Sequence, residues 1–292
     1  MTSAGAGGAD PRAARRGPAR PDPGNASTAD PSEAYGPQVS SLPPVSDEPP
    51  GPLLARGREA TVHELGPGRV LRRYDDARDV TAEVTVMRHV ARHGVRVPHV
   101  HGLHLDARGR PTGMVLERLD GPTLVEAALV GDVEPAEAGR TLARLHADLH
   151  RVPVDGLPAD LGPPAREPGH VVVHLDLHPA NVMLVAGEPV VIDWAIARTG
   201  PATLDTAMTA LAIACAVVEG IPADAGDVAR LDVPPWFVTT VLDAYLAALP
   251  EPPTTSLDRA VAVRDSFGAH SPGVVQAGAE VVRLALDAIA RR

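Results

Sequence analysis

Short apolar runs broken by Gly and Pro open the patterned part of the chain, and longer runs with helical spacing close it. Leu53-Leu54, Ala60–Leu65 and Arg69–Tyr74 read as three strands, parted by turns at Gly57 and at Gly66-Pro67-Gly68. Over Asp79–His93 the apolar positions Val80, Val84, Met87 and Val90-Ala91 recur at helical spacing, and Gly94 follows, so a helix is predicted there. His99–Leu105 and Thr112–Leu119 read as two more strands. After Asp120-Gly121-Pro122 the pattern turns helical: a short helix over Thr123–Val130, then a longer one over Glu134–His150 with Ala138, Leu142, Leu145 and Leu149 on one face. Three brief apolar runs, Val171–Val173, Val182–Val185 and Val190–Ile192, suggest strands. Helices are predicted over Leu204–Val218, Pro235–Leu249, Leu257–Phe267 and Val274–Ile289. The order gives an α+β chain, with a small β-rich lobe over 53–118 and a larger helical lobe over 119–292.

Residues 1–52 fall outside this pattern. They are mostly Pro, Ala, Gly, Ser and Asp, with too few large apolar side chains to offset the entropy of ordering. A disordered tail is expected, with a Pro-rich docking segment as the functional alternative. The arginines near the N-terminus have no apolar stretch behind them, so no signal peptide is expected.

Composition narrows the setting. The chain has 292 residues and a single cysteine, Cys215, which excludes an internal disulfide framework and suits a reducing, cytoplasmic compartment. Cys215 lies in the apolar run Ala210–Val218, too short and Ala-rich to span a bilayer and better read as a buried helix segment. All 27 basic residues are arginine, so any role usually given to lysine falls to arginine or goes unfilled. The small lobe carries 12 arginines against 8 acids, while residues 119–292 carry 11 against 23. No basic stripe dominates, so neither nucleic acid nor membrane is an expected partner, and a monomer or weak dimer is.

Candidate chemistry concentrates in His174-Leu175-Asp176-Leu177-His178-Pro179-Ala180-Asn181, followed by Ile192-Asp193-Trp194. Asp176 can accept the proton of a substrate hydroxyl, and Asn181 and Asp193 offer oxygen ligands to a hard cation such as Mg²⁺ bridging nucleotide phosphates. Short strands on either side would hold these loop residues in place, as catalysis by positioning requires. The H-x-D-x-x-x-x-N string with its I-D-W triplet resembles the catalytic and metal-binding segments of the protein-kinase-like fold, in particular those of the aminoglycoside phosphotransferase family of small-molecule kinases. Trp194-Ala195 after the metal-binding Asp, and His178 two residues past Asp176, fit that family better than protein kinases.

The resemblance covers about residues 53 to 270 and implies a two-lobed enzyme that moves phosphate from ATP or GTP, with Mg²⁺, to a small-molecule hydroxyl. Gly57, in Arg56-Gly57-Arg58-Glu59-Ala60, occupies the place of a phosphate-covering loop, although one glycine suits a plain hairpin turn equally. Arg72 on the third strand stands where that fold's phosphate-gripping lysine would be, and Glu83 on the next helix is its expected partner; a surface arginine pair is the alternative. Met114–Leu119, with Glu117, has the place of the strand and hinge that would bind adenine through its backbone. His174 is expected to hold the loop by packing and hydrogen bonding. For His178, contact with phosphate or substrate and a structural role both stay open. His146 and His150, four apart around Asp148, have a zinc-compatible spacing, but packing is the preferred reading because no third ligand has a recognisable spacing. Asp205 is expected either to brace the catalytic loop or to cap a helix. The rivals are a protein Ser/Thr kinase, disfavoured because only Ala195–Pro201 separates Asp193 from the next helix, and a non-catalytic nucleotide-binding regulator. The acid excess of the large lobe points to a cationic acceptor, such as an amino sugar or another amine-bearing alcohol; acids scattered over solvated helices would give the same count.

Overall fold

The computed structural model describes residues 42–45, 51–159, 161, 169–220, 233–271 and 273–292. Its N-terminal lobe is a six-stranded sheet of β1 (Pro44–Val45), β2 (Leu53–Arg56), β3 (Ala60–Glu64), β4 (Arg69–Tyr74), β5 (Val100–Leu105) and β6 (Pro111–Glu117). The strands lie in the order β1-β5-β6-β4-β3-β2. Helix α1 (Thr81–Arg92) buries Val84, Met87 and Val90 in one core with Val70, Val100 and Met114 of the sheet. The five expected strands are all present. The sixth, β1, pairs parallel with β5, Pro44 against Leu103 and Val45 against His104. An open strand edge needs only a partner's backbone, so two residues without an apolar pattern can pair there. The expectation for the rest of the tail, residues 1–41 and 46–50, lies outside the described residues.

The lobes are joined at Gly121, whose φ of 156° few side chains tolerate and whose Cβ, if present, would overlap the carbonyl oxygen of Leu184. Leu184 N–H in turn donates to Pro122 O at 2.8 Å, so the connection is pressed against the strand below it. Helix α2 (Leu124–Leu129) starts from a capping box in which Thr123 and Glu126 satisfy one another's backbone N–H groups. Helix α3 (Pro135–Leu149) follows.

Four short strands then frame the candidate chemistry: β7 (His170–Val173), β8 (Val182–Val185), β9 (Glu188–Val191) and β10 (Arg198–Pro201). β8 and β9 form a hairpin through Ala186-Gly187, both at positive φ as a tight two-residue turn requires. β10 pairs antiparallel with β7. It was not expected, because Arg-Thr-Gly-Pro has no apolar alternation.

Helices α4 (Ala202–Glu219), α5 (Pro235–Ala248), α6 (Leu257–Ser266) and α7 (Val274–Ala290) complete the large lobe. Among the described residues α4 alone is long and apolar enough to cross a membrane, but it packs against α5, α6 and α7 with Leu204–Leu211 and Ile213–Cys215 buried. It is the core helix of this lobe, as expected for the run around Cys215. Burial pushes the Cys215 thiol up to about 11, which keeps it protonated and inert.

Candidate active site

Asp176, His178 and Asn181 lie between β7 and β8, and Asp193 lies two residues past β9. All four line one cavity of about 480 Å³ between the lobes, together with Gly57 and Arg72 from the sheet. Asn181 binds the loop to itself. Its Nδ2 donates to the backbone oxygen of Asp176 at 2.9 Å and reaches Asp176 Oδ2 at 3.4 Å. Ile192 N–H donates to Asn181 O at 3.0 Å, which ties the approach to Asp193 to the same loop. His178 Nε2 is 3.6 Å from Asp176 Oδ2. Leu175 and Asp193 both have left-handed backbones, with φ of 67° and 63°, a strain that the surrounding bonds must hold in place.

His174 is buried and does what was expected of it. Its Nε2 lies 3.1 Å from Ile192 O, and its Nδ1 accepts the N–H of Asp176 at 3.3 Å. That pairing requires a neutral ring with the proton on Nε2, and burial lowers the pKa accordingly. The ring also meets Trp194 edge-on, with centroids 4.7 Å apart.

Arg72 joins the lobes. Its Nη1 donates to Glu83 Oε1 at 2.7 Å and its Nη2 to Asp193 Oδ1 at 2.6 Å, so the Arg72–Glu83 pair forms as expected. Tyr74 O–H donates to Glu83 Oε2 at 2.6 Å. Burial raises the Glu83 pKa against the pull of Arg72, but with donors on both oxygens Glu83 acts as a carboxylate acceptor. For Asp176 and Asp193, burial opposes ionisation and loses. His178 and Arg264 hold Asp176 well below the usual carboxylate range, and Arg72 holds Asp193 down. Both are therefore carboxylates at neutral pH.

Glu117 stands apart from this group. It does not line the cavity, its side chain accepts the N–H of His99 at 3.2 Å, and its own N–H donates to His99 O at 2.8 Å. The β5–β6 pairing thus consumes the backbone donor that a hinge would offer to a base.

The phosphotransferase enzyme family matches the chain over residues 53–168 and 157–253. The chain belongs to that family. It is a phosphotransferase with a hydroxyl acceptor, related to the aminoglycoside phosphotransferases, with a β-sheet N-terminal region and a helical C-terminal one. Among solved structures it is similar to an amicoumacin kinase in complex with AMP-PNP and Ca²⁺, at 16% identity over 85% of this chain and 90% of that one, with a TM-score of 0.45. It is similar to a choline/ethanolamine kinase family protein from Mesorhizobium loti, at 16% identity over 86% and 98% of the two chains, with a TM-score of 0.41. A thermostable mutant of aminoglycoside phosphotransferase APH(4)-Ia, in ternary complex with AMP-PNP and hygromycin B, is 15% identical over 84% and 94%, with a TM-score of 0.44. No curated protein matches.

In this phosphotransferase Asp205 is the brace of the loop, not a helix cap. It is fully buried, its Oδ1 accepts the N–H of Leu175 at 2.6 Å, and its Oδ2 accepts that of His174 at 3.1 Å and pairs with His150 Nε2 at 2.9 Å. The α4 N-cap position is Pro201, which has no side chain to cap with. His146, His150 and Asp205 come within metal-ligating reach of one another. Asp205 already serves the loop with both oxygens, which supports packing over zinc. His146 Nδ1 is 3.2 Å from the Tyr245 hydroxyl.

Two cavity residues went unrecognised in the sequence. Tyr74 shares a strand face with Arg72 by simple alternation, so that signal was present. Arg264 had none: it reaches Asp176 from α6, 88 positions away, and belongs to no local pattern.

Proposed function

We propose that this phosphotransferase moves the γ-phosphoryl group of a nucleoside triphosphate, ATP or GTP, onto the hydroxyl of a small molecule, with Mg²⁺. One observation carries the reading: Asp176, Asn181 and Asp193 converge on the wall of a single interlobe cavity, below a cation that Glu83 holds in place. The residues suit magnesium. Asn181 donates through Nδ2, which leaves its Oδ1 as a ligand atom, and the Asp193 side chain keeps 42% of its surface open although Arg72 covers one oxygen. Hard oxygen donors with room for water are what Mg²⁺ selects. Bound there, the ion would neutralise charge on the phosphates.

The protein's own part is positioning. Asp176 orients the acceptor hydroxyl and takes its proton. The acceptor oxygen forms the new bond to the γ-phosphorus as the bond to the β,γ-bridging oxygen breaks, and the nucleoside diphosphate leaves. A carboxylate held at low pKa is a weak base, which suits a loose transition state where alignment matters more than early deprotonation. Arg72 aligns the phosphates, Gly57 lies in the turn that covers them, and His178 stands close enough to Asp176 to meet the transferred group. β10 runs directly into α4, which leaves no space for a protein-substrate segment after Asp193 and favours a small acceptor.

The direct test is transfer of labelled phosphate from MgATP and MgGTP to a panel of amino sugars, amino alcohols, neutral sugars and hydroxy acids. A labelled product that vanishes in Asp176→Ala supports the assignment; equal turnover in the variant would refute it.

A further inference from the structure

The remaining cavity wall bears on which hydroxyl compound is taken, an inference that rests on the phosphotransferase reading. Beyond Asp176 the wall is apolar, formed by Ile196, Ile213, Phe237, Val238, Val241 and Phe267. Among the described residues its acids are Glu59, Asp176 and Asp193. Glu59 is paired with Arg78 at 2.8 Å, and the other two belong to the chemistry. The acid excess of the large lobe is therefore not carried into the described cavity, where a polycation would need it.

Set into this wall is a cation. Arg264, with 9% of its side chain exposed, places Nη1 and Nη2 at 3.3 and 3.2 Å from a single oxygen, Asp176 Oδ1. These contacts are longer than the about 2.7–2.9 Å of a good charged pair. Its Nε is buried and has no hydrogen-bond partner among the described residues. A guanidinium has five donors in a rigid fork, and a buried one held by two long bonds to one oxygen is under-satisfied. It reaches Asp176 from α6 of the large lobe, whereas Arg72 reaches Asp193 from the sheet of the small one. Glu219, the nearby acid, is turned to His270 and the N–H of Ser271.

We propose that Arg264 receives an acidic group of the acceptor, a carboxylate or a phosphate, and that the acceptor is an anionic alcohol with an apolar body. A ligand anion offers the fork two oxygens and two short parallel bonds in place of two long ones to one oxygen. Its arrival releases Asp176 Oδ1 to take the hydroxyl proton, so the base becomes available as the acceptor binds.

Four probes of one body and different heads test this: 3-hydroxydecanoate, 3-hydroxydecyl phosphate, decane-1,3-diol and 1-aminodecan-3-ol. Their affinities would be measured by calorimetry on the full chain carrying magnesium and AMP-PNP. At least one anion should bind about tenfold to a hundredfold tighter than the diol, with the amine weakest, the range set by a hydrogen-bonded charge. The tighter of the two anions identifies the acid. In Arg264→Gln the advantage of the anion should shrink to less than about threefold. A diol or amine that binds as tightly as the anions, no binding of any probe, or an unchanged ratio in Arg264→Gln would overturn the proposal. If that variant fails to fold, the wild-type head-group series decides alone. Failure of the phosphotransferase reading itself is seen separately, as absent magnesium-dependent nucleotide binding before any probe is added.

Discussion

Replacing Asp205 should damage both stability and turnover, although this carboxylate touches neither cavity nor substrate. It accepts the N–H groups of Leu175 and His174 at 2.6 and 3.1 Å and pairs with His150 Nε2 at 2.9 Å, all away from water. A buried donor left without its acceptor costs about 1–3 kcal/mol. Asp205→Ala orphans three and should cost about 4–6 kcal/mol, a large share of the ~5–15 kcal/mol that holds a typical protein folded. Asp205→Asn is the sharper experiment. Its amide oxygen can still serve Leu175, but an NH₂ group then faces the His174 N–H, donor against donor, and His150 must change tautomer for its Nε2 to accept. About 3 kcal/mol should be lost, or roughly 6–12 °C in melting temperature for a chain of this size. Turnover should fall as well, because Leu175 at φ 67° sits next to Asp176 and its N–H is held by Asp205. Urea unfolding and phosphate transfer would be measured on the same preparations. A loss below about 1 kcal/mol for Asp205→Asn, with turnover intact, would show that the loop holds its shape without this carboxylate.

Three other outcomes test the site carboxylates, a helix crossing and the response of stability to pH. Asp176→Asn should reduce transfer by about 10²–10⁴-fold while nucleotide still binds, and Asp193→Ala should instead abolish magnesium-dependent nucleotide binding, as read by a fluorescent ATP analogue. Equal effects of the two substitutions on binding would merge roles that are separate here. Gly139→Ala should destabilise by about 1–3 kcal/mol in urea, because the added Cβ would overlap Val241 O and lie 2.8 Å from Tyr245 N where α3 crosses α5; unchanged stability would mean the helices part freely. Stability should fall as pH drops below about 6.5. Burial depresses the His174 pKa in the folded state, so below the ordinary histidine value the unfolded chain binds the proton that the native ring refuses. Asp205, held well below the carboxylate range against its own burial by His146 and His150, adds a further loss below about pH 4. A urea midpoint that stays flat between about pH 7 and pH 5 would refute the histidine part.

What could be read from the sequence divides by range. Strands β2 to β6, the helices of the large lobe and the loop from His174 to Asn181 announce themselves because their signals are local: alternation, helical spacing, a motif of eight residues. Arg72 and Glu83 were reachable because they stand on consecutive elements of a familiar order. β10 was not, since Arg198-Thr199-Gly200-Pro201 is held as a strand by backbone pairing with β7 and not by side-chain alternation. β1 was hidden for the same reason. Glu117 shows the converse: its place at the end of β6 was clear, but its N–H is taken by a neighbouring strand, and sequence does not display pairing. Arg264 is the most instructive loss. Its contact with Asp176 exists only because α6 folds back over the catalytic loop, and no property of Leu257–Ser266 alone says so.

The absence of lysine gives the site its particular form. A lysine in the place of Arg72 would present one ammonium, a compact point charge that can lean toward Glu83 or toward the phosphates. The guanidinium holds two partners at once through separate nitrogens, Glu83 on α1 and Asp193 beyond β9, while lying 5.0 Å from the Tyr74 ring centre. It therefore fastens the floor of the small lobe to the Asp193 end of the large one, and it brings the cation to the carboxylate that magnesium would share. The two do not exclude each other. Arg72 occupies Oδ1 of Asp193, and Oδ2 would be left for the proposed ion, with 42% of that side chain exposed. When phosphates enter, the fork can trade one bond for another without giving up Glu83, because its donors point in more than one direction. The same rigidity that lets an arginine replace the lysine here makes Arg264 conspicuous across the cavity. Two guanidiniums each grip a carboxylate of the proposed reaction, one beside the expected phosphates and one beside the expected acceptor. Arg72 has short bonds to both its partners. Among the described residues Arg264 has only long ones, which is why the acceptor's own charge is the natural completion of the site.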